Sequence, residues 1–164
     1  MKAFYGLTEP THAVDIATQV CDLLGHGKNN RAVHLLLETA AQETHLGQYR
    51  DGTDYRAGFG LCQVDEIGFV DVVQRTRSKN KALLKEQFDI DLDLVAHREL
   101  EHSPLLSMVI CRLHYKLKPE VVPVDLADRA AYWKKHYNTV AGKGEPVEFI
   151  DNAQHYIAPL LGSY

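Results

Sequence analysis

The sequence has no excess of positive charge: 18 lysine and arginine residues against 22 aspartate and glutamate leave a net charge of −4 with histidine neutral. A nucleic-acid binder needs a basic face against the phosphates, so nucleic acid is not expected as the main partner. Cysteine is sparse. Cys21, Cys62 and Cys111 are widely spaced, each among apolar neighbours, which predicts buried reduced thiols rather than a disulfide framework. No apolar run is long enough to span a membrane, and Met1 to Pro10 show no apolar core of a secretory signal. Repeats, low-complexity segments and composition breaks are missing as well. The chain, 45% hydrophobic and 24% charged, is therefore expected to form a single soluble domain over residues 1–164.

Metal patterns are equally wanting. Asp89, Asp91 and Asp93 alternate as in a calcium loop, but the loop glycine and the closing glutamate are missing. His97 and His102 lie five apart, well over a quarter-turn on a helix, and match neither zincin order. No metal and no other cofactor is expected.

What is present is concentrated in residues 38–65. An apolar helical pattern (Val33, Leu36, Leu37, Ala40, Ala41) delivers Glu43 to the end of a helix, with Gly47 expected to stop it. A polar turn with Asp51, Gly52, Thr53 and Asp54 follows, then Gly58-Phe59-Gly60-Leu61-Cys62-Gln63-Val64-Asp65, which reads as a short strand or hairpin arm. The negative end of a helix dipole and partial burial both raise the pKa of a carboxyl at that position, which suits Glu43 to donate a proton near neutral pH. Carboxylates on a wetter hairpin stay ionised and can orient a water or stabilise positive charge at a sugar carbon.

Glu43-Thr44-His45, the glycine after it, Asp54, and Gly58 to Asp65 together resemble the core of goose-type lysozymes and, more loosely, of soluble lytic transglycosylases. The family pattern has Ser at the position of Thr44 and Met at that of Cys62, with a slightly longer turn, so no carboxylate is affected. A second stretch, Ala131 to Gly144, resembles the Ala-Tyr-Asn-Ala-Gly-x-Gly signature of the same superfamily, with two residues between Asn138 and Ala141-Gly142. The resemblance implies a lysozyme-like fold and a peptidoglycan glycosidase cutting between N-acetylmuramic acid and N-acetylglucosamine. It makes Glu43 the general acid and Asp54 and Asp65 the residues that position water, with Asp51 an alternative to Asp54. His45, Gln63, Tyr137 and Asn138 become groove residues for the glycan strand. A wall-degrading fold without a visible signal fits a bacteriophage protein, in the virion or in the host cytoplasm before release, with other virion proteins as partners. Two further readings stay open: a transglycosylase that leaves 1,6-anhydro ends, and a non-catalytic virion protein, which would be expected to have lost the acid. A nucleophile built on Cys62 with His45 or His34 is disfavoured, because catalytic cysteines usually open a helix and Cys62 falls in a strand-like run.

Elsewhere the pattern predicts a mainly α chain (α+β), a helical bundle around one buried helix with a small β-hairpin. Thr11 is expected to cap a helix ending at Gly25, and Asn30 to cap the helix that carries Glu43. Ile67 to Gln74 reads as a helix, Arg75 to Lys85 as a solvated basic face, and Phe88 to Val95 as alternating. Residues 97–102 read as surface helix. Ser103 and Pro104 open the most apolar stretch, Leu105 to Tyr115, the expected central helix. Asp125 is expected to cap a helix bearing Trp133, which suits a sugar-stacking face and a core anchor equally. A last helix is expected over 146–156, with Val147, Phe149, Ile150, Ala153 and Ile157 inward.

Overall fold

Pro104–Lys116 forms α5, a helix buried along most of its length; the computed structural model describes residues 3–50, 58–139 and 142–162. The start of α5 is fixed by chemistry visible in the sequence. Ser103 Oγ accepts from the Leu106 N–H at 3.1 Å, and Pro104 occupies the first helical position, where its missing N–H costs nothing. Leu106, Met108, Val109, Ile110, Cys111, Leu113 and Tyr115 are all buried, so the helix is apolar nearly all round.

α1, Pro10–Leu24, packs on α5 and on α2, Ala32–Thr44. Gly25 ends α1 at φ 104°, as expected, but the start differs: Pro10 is the first helical residue and Glu9 precedes it, so Thr11 lies inside the helix. Proline's fixed φ nucleates the turn two residues earlier than a Thr11 cap would. Asn30 is not a cap either; at φ 53° it takes the left-handed turn before Arg31, which precedes α2 without a side-chain bond. Two cations on α5 close the far end of α1. Arg112 Nε donates to Gly25 O at 2.9 Å and Lys116 Nζ to Leu24 O at 2.8 Å, charge placed where a helix C-terminus favours it.

Among the described residues the β content is one antiparallel pair, β1 Gly58–Phe59 and β2 Val64–Asp65, with Gly58 opposite Asp65 and Phe59 opposite Val64. Cys62 therefore sits in the connecting turn, not in a strand. α3, Glu66–Arg75, and α4, Ser78–Phe88, follow, and only Leu84 of the basic α4 is buried. The alternation in 88–95 is not a strand: Asp89 ends α4 at φ 54°, and the following residues form turns. Short range explains it, since Ile90 N–H already bonds back to Leu84 O at 3.2 Å. Residues 97–102 form a 3₁₀ helix, and His97 is turned inward with Nε2 2.7 Å from Val64 O.

α6, Leu126–Trp133, runs into a π-helical segment, Lys134–Asn138; α7, Pro146–Asn152, runs into another, Ala153–Ile157, and then α8, Ala158–Leu161. Asp125 stands at the N-cap of α6 but makes no side-chain cap bond. Phe149, Ala153 and Ile157 face inward as expected, whereas Val147 is 62% exposed because the helix begins at Pro146 and its first turn projects from the core. The three cysteines are buried free thiols. Among the described residues no helix is long and apolar enough to cross a membrane. The chain is mainly helical, with one small sheet among the described residues.

Candidate active site around Glu43

α2 is anchored by Leu35, Leu36, Leu37, Ala40 and Ala41, all buried, so its last turn cannot drift. Glu43 is the penultimate helical residue. The stop comes two residues before the glycine expected to supply it: His45, Leu46 and Gly47 take φ of 49°, 54° and 80° in succession. His45 N–H bonds Ala41 O at 2.9 Å and Leu46 N–H bonds Ala40 O at 3.1 Å, which satisfies the last carbonyls and holds two non-glycine residues in the left-handed region. Thr44 Oγ1 lies 3.0 Å from Ala40 O and 2.8 Å from Leu61 O as donor, and accepts from Gly47 N–H at 3.1 Å. The helix end is thereby tied to the β1–β2 turn.

That turn is tied in its own right. Gly60, at φ 79°, donates its N–H to Glu101 Oε1 at 2.9 Å, and a Cβ there would collide with Ser107 Oγ and Leu100 O. Only glycine fits so close an approach. Leu61 N–H donates to Ser107 Oγ at 3.2 Å, which in turn donates to Leu100 O at 3.1 Å. Gln63 Nε2 donates to Gly60 O at 2.9 Å.

Against this frame α6 and its π-helical extension bring two rings, Trp133 and Tyr137. Trp133 Nε1 donates to Glu43 Oε1 at 3.3 Å, and its indole is wholly buried against Phe149 at 5.1 Å. Tyr137 Oη donates to Cys62 O at 2.6 Å and stacks on Tyr115 at 5.3 Å, whose hydroxyl lies 2.9 Å from Thr39 Oγ1. Protein atoms crowd the Glu43 carboxyl, although part of the residue's surface stays open. Burial pushes its pKa from 4.5 up to about 7, against the opposing pull of the Trp133 N–H. The C-terminal end of α2 acts in the same upward direction. Such a carboxyl is part protonated at neutral pH and can both give and take a proton.

The other carboxylate buried on α2 behaves oppositely. Glu38 meets Arg129 in a two-pronged pair, at 2.6 and 2.8 Å, with Glu38 wholly and Arg129 almost wholly buried, and Arg129 also donates to the carbonyls of Val124 and Pro123. Its charge is compensated in place, whereas Glu43 has an N–H and, among the described residues, no cation.

The residues expected at the site divide. Tyr137 is close enough to Glu43 for the two to interact electrostatically, its hydroxyl being bonded to Cys62 O. Asp65 caps α3, Oδ1 accepting from Gly68 N–H at 2.6 Å. Gln63 closes the hairpin turn. His45 lies just past the acid and stacks on Tyr156 at 5.2 Å, while Asn138 Oδ1 accepts from Lys134 Nζ at 2.8 Å within its own turn. Asp54 and its alternative Asp51 lie outside the described residues. Trp133 is the core anchor and not a stacking face, yet its N–H meets the acid; only the three-dimensional approach of α6 to α2 shows that. Tyr115 and Tyr156 carried no sequence signal beyond their apolar spacing. The thiol of Cys62 is turned to Cys111, and that contact and burial push it well above its ordinary pKa, the reverse of what a nucleophile needs. Comparison with family models, with curated proteins and with solved structures finds no match.

Proposed function

We propose that the chain is a peptidoglycan glycosidase of lysozyme-like fold that cleaves the β-1,4 bond between N-acetylmuramic acid and N-acetylglucosamine, with Glu43 as general acid. One observation carries the reading: the motif glutamate, at the end of a buried helix, keeps its carboxyl near pKa 7 beside an indole N–H and, among the described residues, without a cation. In that setting Glu43 protonates the glycosidic oxygen as the bond to the sugar carbon breaks. The Trp133 N–H then steadies the carboxylate left behind, and the same group recovers its proton from solvent. An ionised carboxylate on the opposite face holds the attacking water in the inverting scheme; Asp65 and Asp54 are the residues proposed for it.

The capping bond of Asp65 favours a second reading. One of its oxygens is already engaged by Gly68 N–H. A lytic transglycosylase needs no water-positioning pair, because the muramic acid hydroxyl attacks and leaves a 1,6-anhydro end. Digestion of purified peptidoglycan by wild type and Glu43→Gln, with mass spectrometry of the fragments, separates the two. Reducing ends that vanish in the variant support hydrolysis, and anhydro ends support transglycosylation. A folded wild type that releases nothing from several wall types refutes both and leaves a non-catalytic virion protein.

A further inference from the structure

A cleft of about 470 Å³ lies away from Glu43, where the α3–α4 junction meets the C-terminal end of α5. Arg75, Arg77, Asn80 and Lys116 line it with Leu113 and Leu117, and no acidic residue does. In a chain of net charge −4 that is a local reversal of sign. Arg75 is shared with Asp71 at 3.2 Å, in a pair open to solvent on both sides. Arg77 and Lys116 face no carboxylate among the described residues, and α4, which starts at the cleft, has no acid in its first turn. Among the described residues Lys116 Nζ bonds the Leu24 carbonyl alone. Burial lowers the Lys116 pKa, and the like charges of Arg112 and Arg77 lower it further, so the cluster is held together against its own repulsion.

We infer that this cleft binds a phosphate ester, with Arg77 and Lys116 supplying most of the countercharge and Arg75 and Asn80 adding donors. Guanidinium groups match a phosphate through paired N–H donors, and an ammonium adds a point charge. The volume lies within the range of small-molecule sites and exceeds what a lone ion needs, so the phosphate is expected to carry an organic group. Two sources share that chemistry: a soluble phosphate monoester and the repeating phosphodiester of an anionic polymer. The inference is independent of the glycosidase reading, since none of these residues meets Glu43.

Calorimetric titration with glycerol phosphate, with a glycerol phosphodiester oligomer and with inorganic phosphate tests it, chloride at equal ionic strength serving as the control. Wild type is expected to bind an ester saturably, more weakly as salt rises. Arg77→Glu/Lys116→Glu should bind at least about tenfold more weakly, having lost two charge-assisted contacts. Lys116→Glu also gives up the bond to Leu24 O at the end of α1, so Arg77→Glu alone, at an exposed side chain, serves as a second variant expected to bind more weakly, with an unchanged far-ultraviolet circular dichroism spectrum as the check on both. Glu43→Gln should bind as wild type does, which keeps this result separate from the glycosidase test. A tighter oligomer points to the polymer, and equal or tighter binding of the monoester to the soluble ligand; either supports the site. No saturable binding of either ester, or equal binding by wild type and the double variant, overturns it.

Discussion

Glu43→Gln should stabilise the protein above neutral pH and leave it unchanged in acid. Glutamine preserves the side chain's length and an oxygen for the Trp133 N–H, and removes only the titration. In the unfolded chain the carboxyl ionises near 4.5, and in the folded one near 7. Between those values the folded state holds a proton that the unfolded state has released, so wild-type stability falls as pH rises through that window. The interval, at about 1.4 kcal/mol per pH unit, amounts to about 3 kcal/mol. Water at the open side of the residue screens the charge and brings the expected figure to about 1.5–3 kcal/mol. For a chain of this length that is a rise in Tm of about 3–12 °C for the variant on the alkaline side. Urea denaturation of both proteins, from about pH 4.5 to about pH 8, isolates the term, because every other titrating group cancels in the difference. Parallel stability profiles would mean that Glu43 ionises like a surface carboxylate, and the general-acid argument would fall with them.

Two other perturbations probe the same region. Trp133→Phe removes the one N–H that favours the ionised form, so the Glu43 carboxyl should titrate above about 7 by carbon-13 NMR, at a stability cost of about 1–3 kcal/mol for the space vacated in the core; an unchanged titration would show the 3.3 Å contact to be idle. Arg129→Met should destabilise by about 3–5 kcal/mol, because it removes the two-pronged cationic partner of the wholly buried Glu38 carboxylate, whereas Glu38→Leu/Arg129→Met should recover most of that loss; denaturant midpoints in which the double variant is as unstable as the single one would count against the lost countercharge as the cause.

The parts of the fold legible in the sequence are those governed by neighbours in the chain. Ser103 and Pro104 start α5 where their cap chemistry says, Gly25 ends α1, and the glycines around Phe59 mark a hairpin. Errors arise where a local preference is overruled from a distance. Gly47 looks like the stop for α2, but the bonds of His45 and Leu46 to Ala41 and Ala40 end the helix sooner. The alternation in 88–95 counts as a strand signal only if a partner strand exists, and none lies there among the described residues. At the site, the sequence identifies Glu43 and places it at a helix end. It does not reveal that Trp133, ninety residues on, donates to it, because which face of α6 meets α2 is decided by packing over the whole chain. Nor does it reveal that Asp65, Gln63 and Asn138 spend bonds on caps and turns, since polar side chains in a loop serve the backbone or a ligand with the same atoms.

The hydroxyl of Thr44 meets three backbone groups drawn from the end of α2 and from the β1–β2 turn, and its single proton is shared between the carbonyls of Ala40 and Leu61. Neither segment can fray without unmaking the other's bonds. The amides of Leu46 and Gly47 on one side, and of Gly60 and Leu61 on the other, are therefore expected to exchange with solvent deuterium as one set, at the slow rate of sub-global opening and not at the rate of loop motion. A carboxyl mounted on such a unit is expected to stay in place between one opening and the next. Its proton affinity then belongs to a single, long-lived arrangement of the protein around it.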